Sequence, residues 1–312
     1  MLEGKEMRAV LFDFLKDEMA KNDKIVVIDA DLGKANGTFN LRNLYKDRTI
    51  DVGVAVQNMA SIAAGLASYG YIPFISSFTP FATRRICDQI AISICYANQN
   101  VKIIGTDPGI SAEFNGGTHM SLEDIGVLRS IPNLVIYEPV DAIQFYKSLP
   151  KILEYKGPLY IRMFRKVAEP VFNDDYEFNL FKADVVKEGT DATIFASGIM
   201  VKESLKACEL LKNEGINIEV INVHTIKPLD EETILNSLRK TKACIVCENH
   251  NLIGGLYSAI SELLCSKLPM KVEKIGVQDR FGEVGKMPYL KEVMGMTTND
   301  IVEAIKRAIS NK

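Results

Sequence analysis

The sequence predicts an α/β protein of two domains, each a mainly parallel sheet covered by helices. Three observations carry this expectation. Short β-branched runs such as Lys24–Asp29 (KIVVID) and Val101–Thr106 are nearly all apolar rather than alternating, as strands buried on both faces are. Segments of helical period fall between them, which is the pattern of a parallel sheet with crossover helices. The pattern breaks over 166–184, where Pro170 and Asn173-Asp174-Asp175 stand in an aromatic and acidic stretch, and then it restarts. Domains are therefore expected at 1–170 and 185–312, joined by a linker over 171–184.

In chain order, Lys24–Asp29 and Arg48–Val52 read as strands separated by a glycine-containing loop. Asn58–Ser68 is helical, with a small-residue face at Ala60, Ala64 and Ala67. Tyr71–Ser77, Val101–Thr106, Leu134–Glu138 and Leu159–Met163 are further buried strands, with helices over Arg85–Ala97 and Asp141–Tyr155. In the second half, strands over Ala192–Ser197 and Ile218–Val223 flank a helix over Lys202–Asn213. A helix over Asp230–Lys240, a strand over Ala243–Glu248, a helix opened by Gly254-Gly255, a strand over Val272–Val277 and a helix over Asp300–Ser310 follow. No repeat of 20–50 residues and no low-complexity tract is present.

Composition narrows the function classes. At 47% hydrophobic and 25% charged residues, the chain has enough apolar content for a full core and is neither collagen-like nor disordered. A net charge of -3 gives no electrostatic case for nucleic acid or an anionic membrane. Val52–Thr83 lacks any charged residue and is long enough to span a bilayer, but Gln57, Asn58 and the Gly70-Tyr71-Ile72-Pro73 break predict a buried helix followed by a buried strand. The N-terminus has no signal-peptide pattern, and six cysteines without a disulfide framework predict a reducing, cytoplasmic setting.

Cys244-Ile-Val-Cys247 falls inside a predicted strand, where a three-residue offset sends the side chains to opposite faces. It therefore reads as structural rather than redox. His119, His224 and His250 are the only histidines and none has metal-ligand spacing from another. His224 and His250 follow predicted strand ends, where either a cleft or a structural role is open. The loop TDPGISAEFNGGTH directly follows a buried strand, the end of a parallel sheet where ligands bind. Gly116-Gly117 would let the backbone approach something closely and hold His119 at a rim; spacing alone leaves its role open. No G-x-x-x-x-G-K-[ST] or G-x-G-x-x-G occurs, so nucleotide binding through those loops is unsupported.

Several stretches together resemble the pyrimidine-binding half of transketolases: VIDADLGKANGTFN, DVGVAVQNMASIAAGLASYGYIPFISSFTPFATRRICDQI, the NGGTH loop and GPLYIRMFR. VINVHTIKPLD, ENHNLIGGL and IGVQDRFGEVG continue the resemblance into the transketolase C-terminal domain, in family order and over nearly the whole chain. Length and start point resemble the C-terminal subunit of a split transketolase encoded by two genes. The resemblance implies a thiamine diphosphate enzyme that moves a two-carbon ketol unit between sugars or sugar phosphates. The diphosphate and Mg²⁺ are held in that family by a G-D-G…N motif, and no GDG occurs here. An N-terminal partner subunit is therefore expected to hold the metal, with this chain supplying the aminopyrimidine side in a heterotetramer.

The resemblance also implies residue roles. Phe78 and Phe81 match the aromatic cluster that packs on the pyrimidine. His119 matches the histidine that contacts the donor ketose hydroxyl and helps move its proton, a task suited to imidazole. Asp31 matches the aspartate of the D-L motif near the interface, and Gln57 the glutamine of G-[IV]-A-E-Q. Arg8 and Arg165 match two arginines that grip a sugar phosphate through planar, permanently charged guanidinium groups.

Departures fall on the chemistry. G-[IV]-A-E-Q reads Gly53-Val54-Ala55-Val56-Gln57. The glutamate that normally hydrogen-bonds the pyrimidine nitrogen, and so promotes loss of the thiazolium C2 proton, is Val56. Valine carries no proton, and losing one acid–base participant costs roughly 10²–10⁴ in rate. Asn115 stands for an aspartate before G-x-T-H, Asp107 for a phosphate-contacting histidine, Ala35 for a serine and Met120 for a glutamine. An aspartate near a bound phosphate repels it. Altered donor or acceptor preference is therefore expected. The alternatives are a catalytically impaired cofactor-binding or scaffold subunit, and a β-type subunit of another split thiamine diphosphate enzyme.

Overall fold

The structure, a computed structural model, describes Leu2 and residues 4–312. The chain divides into two compact units. The first comprises the chain up to Pro108 together with Val127–Leu180, and the second comprises Gly109–Gly126 with Phe181–Lys312. The loop 109–126, which lies between strands of the first unit in sequence, thus folds onto the second.

The first unit is built on β1 (Ile25–Asp29), β2 (Thr49–Asp51), β3 (Ile72–Phe78), β4 (Lys102–Thr106), β5 (Val135–Tyr137) and β6 (Leu159–Met163). Within it the strand order is β5-β6-β4-β3-β1-β2 and every pairing is parallel. Every residue of β1, β4, β5 and β6 is buried, because helices cover both faces. A helix that periodicity had not singled out, Met7–Lys21, buries Met7, Val10, Leu11, Phe14, Leu15 and Met19 against this core. Interrupting charges at Lys16, Asp17 and Glu18 obscure its apolar stripe in the sequence.

The uncharged stretch resolves into the helix Val56–Ser68, whose alanines 60, 63, 64 and 67 are buried, and β3. Among the described residues, no helix is long and apolar enough to cross a membrane. The helix predicted over Arg85–Ala97 takes a different form. A 3₁₀ turn at Arg84–Ile86 is followed by a π-helical segment, Gln89–Tyr96, which buries Ile90, Ile94 and Cys95.

The second unit contains β7 (Asp184–Lys187), β8 (Ala192–Ala196), β9 (Ile218–Asn222), β10 (Thr225–Lys227), β11 (Cys244–Asn251) and β12 (Val272–Val277). Its five-stranded sheet has the order β12-β11-β8-β9-β7, parallel except for β7. β11 runs three residues past the predicted Glu248, so His250 lies within the strand rather than beyond it. Cys244 and Cys247 lie in β11, and all six cysteines are free thiols. Burial pushes the Cys247 thiol up to about 12 and Cys244 higher still, which leaves both as inert core side chains.

Candidate functional site

Three neighbouring strands of the first unit end in one row. In the β3–β4–β6 register, Phe78 pairs with Thr106 and Thr106 with Met163. The residues that leave these strand ends, Phe78, Asp107 and Arg165, are therefore delivered to the same edge of the sheet, the carboxyl edge where parallel sheets bind ligands. Of the two arginines in YIRMFR, Arg162 is fully buried and its NH1 lies 2.5 Å from Glu138 Oε1. Arg165, two residues past the strand, is the one at the edge.

Arg8 reaches the same place from the N-terminal helix. The N–H groups of Met7 and Arg8, unpaired within a first helical turn, donate to the carbonyls of Lys166 (3.2 Å) and Arg165 (3.1 Å). Both guanidinium groups then donate to one atom, the Ala35 carbonyl oxygen, from Arg8 NH1 at 3.2 Å and Arg165 NH1 at 3.3 Å. Gly37 sits at φ +87, and a Cβ there would lie 2.9 Å from the Arg8 carbonyl, so glycine permits this close approach.

Each arginine has its own carboxylate. Arg8 is bidentate to Glu6, with Nε 2.7 Å from Oε2 and NH2 3.1 Å from Oε1. Arg165 Nε lies 2.6 Å from Asp107 Oδ2, an ion-pair contact, and the Arg165 backbone N–H donates to Asp107 Oδ1 at 3.3 Å. Asp107 is 1% exposed, at φ +53, and its own N–H donates to the Met163 carbonyl. Burial pushes its carboxyl above the ordinary range, and the Arg165 charge offsets this only in part.

The aromatic pair lies beside these charges. The Phe78 and Phe81 rings are 6.5 Å apart and tilted by 52°. The Arg165 guanidinium stacks 5.0 Å from the Phe78 centroid and that of Arg85 lies 4.6 Å from Phe81. The pair is half-buried and offers an aromatic surface of the kind on which a flat heteroaromatic ring packs. Buried Val56 opens the helix Val56–Ser68, and the next residue, Gln57, is exposed.

Asp31 is exposed at φ +62, and its N–H donates to Asp51 Oδ1, which also accepts from Gly53 N–H. Arg42 NH2 bridges Asp51 Oδ2 at 2.8 Å and buried Asp29 Oδ2 at 3.0 Å. Burial tends to raise the Asp51 carboxyl, but hydrogen bonds from Gly53 and Arg42 outweigh it and hold it low. Asp51 thereby ties the Asp31 loop to the turn that leads into Val56. Sequence reasoning missed this network, as it missed Glu6 and Arg85; acidic residues at the ends of β1 and β2 were the available signal.

Asn115 and His119 lie in the second unit, on the loop that packs there. Asn115 is exposed and His119 half-buried, with its Nδ1 2.9 Å from Thr118 Oγ1. The close approach expected of Gly116-Gly117 is to the protein itself, since a Cβ on Gly117 would lie 2.6 Å from the Gly282 carbonyl oxygen. His224 and His250 are fully buried. His250 Nδ1 lies 2.5 Å from the Asn251 carbonyl oxygen and the Gly126 N–H points at its Nε2, contacts that hold the ring inside the second unit. Among the described residues, no group of three or more His, Cys, Asp or Glu side chains is placed to hold a metal ion.

Residues 3–170 match the family described as the transketolase pyrimidine-binding domain, and residues 181–301 the transketolase C-terminal domain. The chain is 48% identical over 311 residues to the 6-deoxy-6-sulfo-D-fructose transketolase subunit SqwH of Clostridium sp. (strain MSTE9), covering 100% of this chain and 97% of that one. It is 39% identical over 289 residues to a putative transketolase C-terminal section from Methanocaldococcus jannaschii, covering 91% and 90%. A solved structure described as a split gene transketolase, inactive beta4 tetramer, superposes with a TM-score of 0.90 at 38% identity over 99% of both chains.

Proposed function

The chain belongs to the transketolase family, and on that premise we propose that it is the C-terminal half of a split transketolase that moves a two-carbon ketol unit from a sulfonated ketose. Residues 1–170 are the pyrimidine-binding part and 185–312 the C-terminal part, joined by 171–184. A partner subunit carrying the G-D-G…N motif holds the diphosphate and Mg²⁺, the two assemble as a heterotetramer, and the enzyme works in the cytoplasm.

Thiamine diphosphate supplies the carbanion chemistry of the transfer. This chain supplies residues for the aminopyrimidine and the sugar. Phe78, Phe81, Gln57 and Asp31 would hold the aminopyrimidine side of the group, and His119 would move a proton at the donor hydroxyl. Arg8 and Arg165 grip the anionic end of the sugar, with Asp107 and Asn115 setting which anion is accepted. The observation that carries this reading is the convergence of Arg8 and Arg165 on the Ala35 carbonyl beside Phe78. The identity to a relative named for 6-deoxy-6-sulfo-D-fructose supports the sulfonate.

A second reading is favoured by one residue. Val56 at the start of its helix suits a subunit that binds cofactor but turns over slowly or not at all. Co-expression with the partner, addition of thiamine diphosphate and Mg²⁺, and a panel of ketose donors separate the two. The transferase reading predicts cofactor-dependent two-carbon transfer from a ketose 6-sulfonate. Cofactor binding with no transfer from any donor would establish the second reading instead, and ordinary efficiency on xylulose 5-phosphate would refute the altered preference.

A further inference from the structure

We infer that Glu113 is a positioning residue that aims His119, because its carboxylate latches the turn before His119 onto the start of the helix Met287–Met294. The inference rests on the proposed reading of His119 as the group that moves a proton at the donor hydroxyl. Every residue it uses lies in the second unit.

Backbone conformation is the first ground. Glu113 sits at φ +48 and ψ -115, a combination that residues with a side chain rarely adopt. Such a conformation persists only where the surroundings impose it, and it gathers at functional loops. The Met287 N–H supplies one such restraint, donating to Glu113 Oε1 at 3.1 Å. Met287 is the first residue of its helix, so this N–H has no partner within the helix. A carboxylate there also meets the positive end of the helix dipole.

The route from Glu113 to His119 is the second ground. Gly116 N–H donates to the Glu113 carbonyl at 3.2 Å. The Gly116 carbonyl in turn accepts from the His119 N–H at 3.1 Å and from the Met120 N–H at 2.9 Å. The direction of the Glu113 carbonyl therefore sets where the His119 backbone lies. The neck of the loop is closed separately. Gly109 N–H donates to the Ser121 carbonyl, Ile110 N–H to Asn249 Oδ1 and Asn251 N–H to the Leu122 carbonyl, which fixes both ends on β11. Between those ends, the Glu113 latch and the approach of Gly117 to Gly282 hold the turn.

The test separates aiming from folding. Glu113→Gln keeps an acceptor for the Met287 N–H, Glu113→Ala removes it, and Met287→Pro removes the donor without touching the loop. Proline suits a first helical position, and Lys286, at φ -77 and ψ 153, already has the backbone that a following proline requires. Each variant is made in the wild type and in His119→Asn. Transfer from a ketose 6-sulfonate is measured on the complex with the partner subunit, loaded with thiamine diphosphate and Mg²⁺. Glu113→Ala and Met287→Pro should each lower kcat/KM by about tenfold, Glu113→Gln by less than about threefold, and none should cost anything further in His119→Asn. Equal losses in both backgrounds would mean a merely structural role and overturn the inference.

A second readout needs no turnover. In the proton–carbon NMR spectrum of the full chain, His119→Asn assigns the His119 imidazole among the three histidines. That signal should shift or broaden in Glu113→Ala and in Met287→Pro and stay in place in Glu113→Gln. A signal unmoved in both loss variants overturns the inference and leaves the transferase reading intact. A moved signal, with transfer indifferent to His119→Asn, supports the latch and overturns the role proposed for His119. A moved signal in a complex that transfers nothing supports the latch and overturns the transferase reading.

Discussion

Arg8 and Arg165, 157 positions apart in sequence, donate to the same oxygen, the carbonyl of Ala35, at 3.2 and 3.3 Å. The backbone makes this meeting possible, because the Arg8 N–H is capped by the Arg165 carbonyl and Gly37 lets the chain pass close to Arg8. Replacing either arginine by Ala should lower kcat/KM for an anionic ketose by roughly 10–100-fold, the usual worth of a charged hydrogen bond. The double variant should lose less than the product of the two, since both groups share one anchor. Steady-state kinetics on an anionic ketose and on its neutral counterpart check this. An equal loss on the neutral sugar would show that the arginines hold the fold rather than the anion.

Much of that arrangement was legible in the sequence, and its limits have physical causes. Buried parallel strands carry no face alternation, so their apolar runs locate β1, β3, β4 and β6 to within a residue or two. The arginines were legible only through the resemblance, because periodicity says nothing about which strand ends meet. Glu6, Arg85 and the Asp29–Arg42–Asp51 bridge were illegible because each depends on contacts between loops that no local pattern encodes. The π pitch at Gln89–Tyr96 differs from an α-helix in hydrogen-bond register rather than in composition. The histidines show the same limit, since strand-end positions alone left His224 and His250 open between a cleft and the core where they lie.

Val56 opens its helix with 7% exposure, so a carboxylate there would meet the positive end of the helix. Val56→Glu should raise turnover of the assembled enzyme by roughly 10²–10⁴ if the missing acid limits it. Exchange of the cofactor C2 proton for deuterium, followed by NMR, reads the same step without sugar. A variant that exchanges no faster than the wild type would mean that another group serves this role.

His224 gives the chain a pH dependence whose sign follows from burial. Burial lowers its pKa to about 4, although the Lys182 backbone and the Asp230 charge pull the other way. The folded value lies below the unfolded one of roughly 6.5, so between them the unfolded chain holds a proton that the folded chain lacks. Its contribution is complete above about pH 6.5 and is lost as pH falls toward 4, by roughly 3 kcal/mol in all. Denaturant unfolding from pH 4 to 7 should show a shallower decline for His224→Gln than for the wild type. Parallel curves would place the acid sensitivity elsewhere.

Thiol chemistry should divide the cysteines by burial. Cys95, Cys208, Cys244 and Cys247 are buried, Cys87 is half-buried and Cys265 exposed. Burial raises the Cys208 thiol to about 11 as well. A small disulfide reagent should modify Cys265 quickly, Cys87 slowly and the other four only on unfolding. Rapid labelling of Cys244 or Cys247 in the native chain would contradict the structural reading of that pair.

The central claim is that this chain forms one side of a cofactor site completed by another polypeptide. Titration of thiamine diphosphate with Mg²⁺ into this chain alone, and into its complex with a subunit carrying the G-D-G…N motif, measures it most directly. Saturable binding should occur in the complex and not in the isolated chain, and Phe81→Ala in this chain should weaken it by about tenfold or more. Equally tight binding by this chain alone, or binding in the complex that is indifferent to Phe81→Ala, would contradict it.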